Sequence, residues 1–255
     1  MMKYIVAAEA RRLYDRMSED KMNEKQQMRS LMSDDMKDTE LMTALWILSS
    51  ILKEYYGKKV IILIDEYDVP LDKAFENNYY NEMIILLRNM LEQSLKTNDN
   101  LYMAVLTGCL RIVRESIFTG LNNFNIFSIT DQYFDEYFGF TDKEVKEILQ
   151  YYKVPGAFNQ TKKWYDGYRF GNTDIYCPWD VINHCRALKI EPDATPQPYW
   201  INTSGNYIVK RFIEKANQQT RREIEQLIEG KAIQKEIRLE LTYNELDSTI
   251  ENLWS

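Results

Sequence analysis

Residues 60–66, VIILIDE, run apolar side chains into two adjacent carboxylates, Asp65 and Glu66. A short apolar run rich in β-branched residues predicts a strand buried on both faces. Acids at its carboxyl end lie where open parallel sheets bind their ligands. This is the Walker B arrangement: the first acid holds a magnesium ion, usually through water, and the second polarises the water that attacks a γ-phosphate. The competing reading is that the two acids open a loop, capping a turn or the helix after Pro70.

LYMAVLTGCLR, residues 101–111, predicts a second buried strand ending in Thr107 and Gly108. A hydroxyl there, beside the first strand, can contact a γ-phosphate or the attacking water, the position called sensor 1. Arg111, with Arg114 beyond it, can stabilise charge on a transferring phosphoryl group. Ion pairing with Glu115 or Asp131 is the other reading of both arginines. Asp68 is either a third acid near the metal or a turn residue preparing the Val69-Pro70 bend. His184, the only histidine, is expected in a surface or half-buried structural role on a helix.

These residues need a scaffold. Leu41, Leu45, Leu48 and Leu52 recur at helical spacing, and Gly57 suits a helix stop. Met83, Leu87, Met90, Leu91 and Leu95 mark a second helix over 79–96. Helices alternating with apolar strands predict an α/β fold with a parallel sheet, to which NIFSIT at 125–130 would add a third strand. Residues 1–40, rich in Met and charge, read as peripheral helices, and Lys96 and Asn98 as solvated. From 137 onward the expectation is a mainly helical region, its starts marked by T-x-x-E capping boxes at Thr141, Thr220 and Thr242. A short strand is expected near 233–241. Trp164, Tyr165, Tyr168 and Trp179 read as a small aromatic core, with base stacking as the alternative. The expected domains are 1–136, with the strands, and 137–255, the mainly helical region.

An apolar fraction of 45% supplies a core, and the net charge of −7 argues against an unaided grip on nucleic acid. Three cysteines, with no CxxC pair, fit a reducing cytoplasm. No apolar run is long enough for a membrane span. The sequence contains no GxxxxGK[ST] phosphate loop, whose amides and lysine would close around the phosphates.

Taken together, VIILIDEYDVPL, LTGCLRIVRESIFTGLNNF, YFGFTDKEV, WYDGYRFG, IYCPWDV and YWINTSGN resemble, in order, the bacterial AAA-ATPase-like family of P-loop proteins. The resemblance implies a longer protein, with a phosphate-loop strand (Walker A) before this segment and often a nuclease-like PD-(D/E)XK domain after it. It makes this chain the middle portion, ending in ENLWS as if cut inside an element, and implies a partial P-loop ATPase core over 1–136 and a helical lid or winged-helix-like region over 137–255. It implies ATP and Mg²⁺ as cofactors, with Asp65 and Glu66 as the Walker B acids, Thr107 as the sensor and Arg111 as a weaker candidate. ATP hydrolysis is then the activity of the full-length protein, and this chain alone is expected to be inactive. Implied partners are ATP, a second copy of the chain and the nuclease-like domain. A non-enzymatic interaction module, or a nucleic-acid-associated one, derived from an ATPase is the alternative. Related ATPases order their strands 5-1-4-3-2, which would seat the absent first strand between 101–107 and 125–130. Direct pairing of those two segments, or an incomplete sheet, is expected here.

Overall fold

The leucine spacing at 41–52 is carried on helix α3, Asp38–Tyr56, in the computed structural model, which describes residues 2–20, 22–33, 35–109, 124–200, 207–238, 245 and 248–254 (for 207–209 and 211, the backbone alone). The helix stops at Gly57, whose φ of 65° is the left-handed cap that glycine adopts without strain, and whose N–H reaches Lys53 O at 2.8 Å. Its apolar stripe packs on α5, Tyr80–Leu95. Helices α1, Met2–Tyr14, and α2, Met22–Leu31, fold onto α3 as well. Ala10, Met17, Met28, Leu31 and Met36 join Leu41, Ala44 and Ile51 in one buried cluster. The first forty residues are therefore core, not periphery: their stripe looked weak because methionine and alanine build it, and flexible methionines fill irregular gaps.

Strand β1, Val60–Ile64, pairs in parallel with β2, Leu101–Leu106, through a crossover of α4, Val69–Glu76, and α5. The chain is thus mixed α/β, mostly helical, with small sheets. The register sets Ile61 opposite Met103 and Leu63 opposite Val105, and these four share one face. Ile62 with Ala104, and Ile64 with Leu106, share the other. The second face lies toward the helices, where Ile62 is 8% exposed; on the first, Leu63 is 73% exposed. Burial on both faces is thus corrected to burial on one, because α3 and α5 cover a single side. Tyr102 is the extra residue where the register shifts between Val60 and Ile61.

The chain divides into two compact units, one of Met1–Phe124 with Lys215–Ser255, the other of Asn125–Glu214. Residues 125–130 form no strand and fall in the second unit, so their pairing with β2 does not occur. Instead Ile129 O accepts the N–H of Gly171, and Asp135 Oδ2 that of Asn172. These two residues turn a hairpin, β3, Asp166–Phe170, and β4, Thr173–Tyr176. Gly171, φ 49°, takes the first central position, as glycine does in a type II′ turn.

Three helices surround the hairpin: α6, Asp142–Tyr151, α7, Phe158–Tyr165, and α8, Pro178–Ile190. Val145, Leu149, Tyr165, Tyr176, Val181, Cys185 and Leu188 form the core. Of the expected aromatic core only Tyr165 is buried, for Trp164, Tyr168 and Trp179 are half exposed. The Thr141–Glu144 capping box is present. At the next helix, α10, Gln218–Ile228, Asn217 is the cap and accepts the Thr220 N–H, so the box placed at Thr220 is corrected. Residues 233–238 form no strand, and the box at Thr242 lies outside the described residues. Asn98 is buried and donates to Ser94 O, closing the end of α5, rather than solvated; Lys96 pairs with Glu92.

His184 is fully buried, not half-buried, beside the Tyr165 ring at 5.3 Å. Neither ring nitrogen has a hydrogen-bond partner among the described residues, and burial lowers its pKa from 6.5. Folded His184 stays neutral while the unfolded chain takes up a proton below 6.5, so stability is present above that pH and lost as the pH falls through it. The unfolding midpoint of the second unit is expected to fall between pH 7.5 and 5.5, and to fall less in His184→Gln; thermal unfolding at both pH values measures this. In the first unit, Ile51→Ala should cost about 2–5 kcal/mol in urea titration, the range for emptying a packed core position.

Candidate functional site at the carboxyl ends of the parallel strands

Past Ile64 and Leu106 the ladder continues for one step and then changes. Thr107 N–H donates to Ile64 O at 2.9 Å, as a regular parallel pair requires. The next bond should come from Glu66 N–H to Thr107 O. Instead Tyr67 N–H makes it, at 3.0 Å. Asp65 and Glu66 together therefore oppose the single residue Thr107, which is a β-bulge, and Glu66 adopts φ 52°. A left-handed backbone on a non-glycine residue is held only where its surroundings fix it. Here it breaks the alternation of the strand at its end, and the Asp65 and Glu66 side chains are both exposed.

The structure brings three of the four sequence-selected residues to this end of the sheet. Thr107 Oγ1 donates to Asp65 Oδ1. Glu66 sits beside them on the bulge. Arg111 and Arg114 lie outside the described residues. Asp68 is neither an exposed acid nor a simple turn residue: it is 4% exposed, and its Oδ2 accepts the Cys109 N–H at 2.8 Å. Gly108 is needed between them, because a Cβ there would stand 2.8 Å from Asp68 Oδ1 and from the Tyr67 ring.

Cys109 also lies at this end. Burial first, then the carboxylates of Asp68, Glu66 and Asp65, push its thiol pKa up. It stays protonated at neutral pH and is a poor nucleophile.

No group of three or more His, Cys, Asp or Glu among the described residues is placed to hold a metal ion. The donor set at the sheet end therefore fits a magnesium ion only in part: Asp65 can meet it directly or through water, with phosphate oxygens completing the shell. Sequence reasoning missed the bulge and the clamp from Asp68 to Cys109. Their one visible signal was Pro70 two residues after Asp68. No helix among the described residues is long and apolar enough to cross a membrane.

Comparison with known proteins bears on the same segment. Residues 3–118 match the AAA-ATPase-like family model, described as a predicted AAA-ATPase. A relative from Azotobacter chroococcum mcd 1, "Uncharacterized protein in vnfD 5'region", is 28% identical over 162 residues. Those residues make up 62% of this chain and 30% of the relative, so the chain spans less than a third of that protein's length. No solved structure matches the chain significantly. Residues 3–118, which hold both parallel strands and the polar residues at their ends, are the part of the chain that is similar to the AAA-ATPase-like family.

Proposed function

We propose that the end of the β1–β2 sheet is the metal and water-activating half of an ATP-hydrolysing site, in a P-loop-type fold whose phosphate cradle is supplied by another segment of the complete protein. The observation that carries this reading is the bulge, where two adjacent acids from one parallel strand meet a hydroxyl from the next. Bound Mg²⁺–ATP would supply the electrophilic phosphorus and a cation to neutralise its charge. Asp65 would hold the cation, directly or through water, while its Oδ1 accepts from Thr107 Oγ1. Glu66, turned aside by its left-handed backbone, takes the proton of the attacking water. Thr107 fixes the Asp65 rotamer and can exchange its bond to Asp65 for one to the phosphate.

ATP hydrolysis in this reading belongs to the full-length protein, and the chain alone is inactive. A second copy of the chain and a nuclease-like domain joined to it are the partners the reading carries with it, and Arg111 is its further charged group. The family match to a predicted AAA-ATPase supports the activity class.

Phosphate release from ATP by the complete natural protein tests the proposal. Glu66→Gln should keep Mg²⁺–ATP binding and lower turnover by about 10²–10⁴-fold, the contribution of a positioned general base. Asp65→Asn should weaken the magnesium dependence of binding. Turnover unchanged in both variants would remove these acids from the hydrolytic site, and no phosphate release by the complete protein would leave an interaction module that retains the acids without using them.

A further inference from the structure

Asp68 occupies the N-cap of α4, where an aspartate ordinarily accepts the N–H of the second or third helical residue. Its side chain makes no such bond. The second helical residue is Pro70, which has no N–H, and the N–H of the third, Leu71, is taken by the Asp68 backbone carbonyl at 2.9 Å. The carboxylate is thereby released from its own helix. It turns to the neighbouring loop and accepts the Cys109 N–H at 2.8 Å.

That bond closes a small ring of contacts around the bulge. On one side the chain runs Asp65, Glu66, Tyr67, Asp68; on the other Thr107, Gly108, Cys109. The two are joined by Thr107 Oγ1 to Asp65, Tyr67 N–H to Thr107 O, and Cys109 N–H to Asp68 Oδ2. A left-handed Glu66 relaxes unless the residues after it are pinned. The first two contacts lie at the bulge itself, and the third is the pin beyond it.

We propose that Asp68 is a positioning residue of the site: by clamping the loop after β2, it holds Thr107 against Asp65 and keeps Glu66 in its bulged conformation. This rests on the reading of the sheet end as an ATP-hydrolysing site for its purpose, but not for its geometry. Asp68 touches neither the reacting atoms nor the metal in this assignment, and it acts through Thr107 and Glu66. The Cys109 N–H needs an acceptor oxygen at this position.

Amide exchange by NMR on this chain, without nucleotide, tests the geometry. In Asp68→Ala the Cys109 and Thr107 amides should exchange about tenfold faster, as expected for one lost hydrogen bond to a charged group. Asp68→Asn, which keeps an oxygen in place, should restore most of the protection. If Asp68→Ala fails to fold, Gly108→Ala, which drives a Cβ against Asp68 and Tyr67, should perturb Thr107 in the same way. Unchanged Thr107 exchange in the folded variants would overturn the proposal.

Kinetics of the complete protein then separate positioning from metal binding. Asp68→Ala should lower kcat with little change in KM for ATP, and Asp68→Asn should recover it. Loss of magnesium dependence in Asp68→Asn equal to that in Asp65→Asn would make Asp68 a ligand and also overturn the proposal. If Asp65→Asn has no effect on nucleotide while the exchange results hold, the ATP reading falls and the clamp stands.

Discussion

Parallel pairing of β1 with β2 is the constraint on which the candidate site depends. Two strands running the same way end at the same edge, so the residues that follow them meet without further arrangement. The crossover through α4 and α5 is long enough to bring the second strand back in parallel, and α3 packed on α5 supplies the buried surface that keeps it there. Asp65 and Thr107 are 42 residues apart in sequence and share a hydrogen bond because of that pairing. An antiparallel hairpin at the same place would have put the acids and the threonine at opposite ends.

The sheet is narrow, and its two faces have different fates. The register sorts the apolar residues of both strands into one set against the helices and one set, Ile61, Leu63, Met103 and Val105, turned outward. Continuous apolar strands of this kind belong to sheets covered on both faces. The sequence pattern therefore describes a more complete environment than the described residues of the first unit provide. That agrees with a chain covering only 30% of the length of its relative.

Legibility followed the length and regularity of each signal. Helix α3 and strands β1 and β2 were readable because four leucines at helical spacing and two unbroken apolar runs leave few alternatives. The proposed strand at 125–130 had apolar residues too, Ile126, Phe127 and Ile129. Its backbone groups instead serve the tip of the β3–β4 hairpin, where Ile129 O takes Gly171 N–H, a tertiary demand that a local pattern does not contain. The hairpin itself carried a signal in Gly171-Asn172 between two short runs, hidden by the aromatic residues around it, which suggested a core cluster. At the site, residue types were legible and backbone was not. Nothing in the letters Asp-Glu announces that Glu66 adopts φ 52°.

The bulge also changes how the adjacent acids leave the strand. Alternation along a regular strand sends neighbouring side chains to opposite faces of the sheet, which would separate Asp65 from Glu66. One inserted residue breaks the alternation at the strand end, where no further pairing is lost. The cost is a strained Glu66, of order 1–3 kcal/mol, offset by the bonds on either side of it. Pro70 enters here as part of the same solution: by removing a donor from the start of α4, it leaves Asp68 without its usual helix-capping duty. In the proposed role, the strain at the carboxylates is held by a residue whose side chain does not cap its own helix and accepts the Cys109 N–H instead.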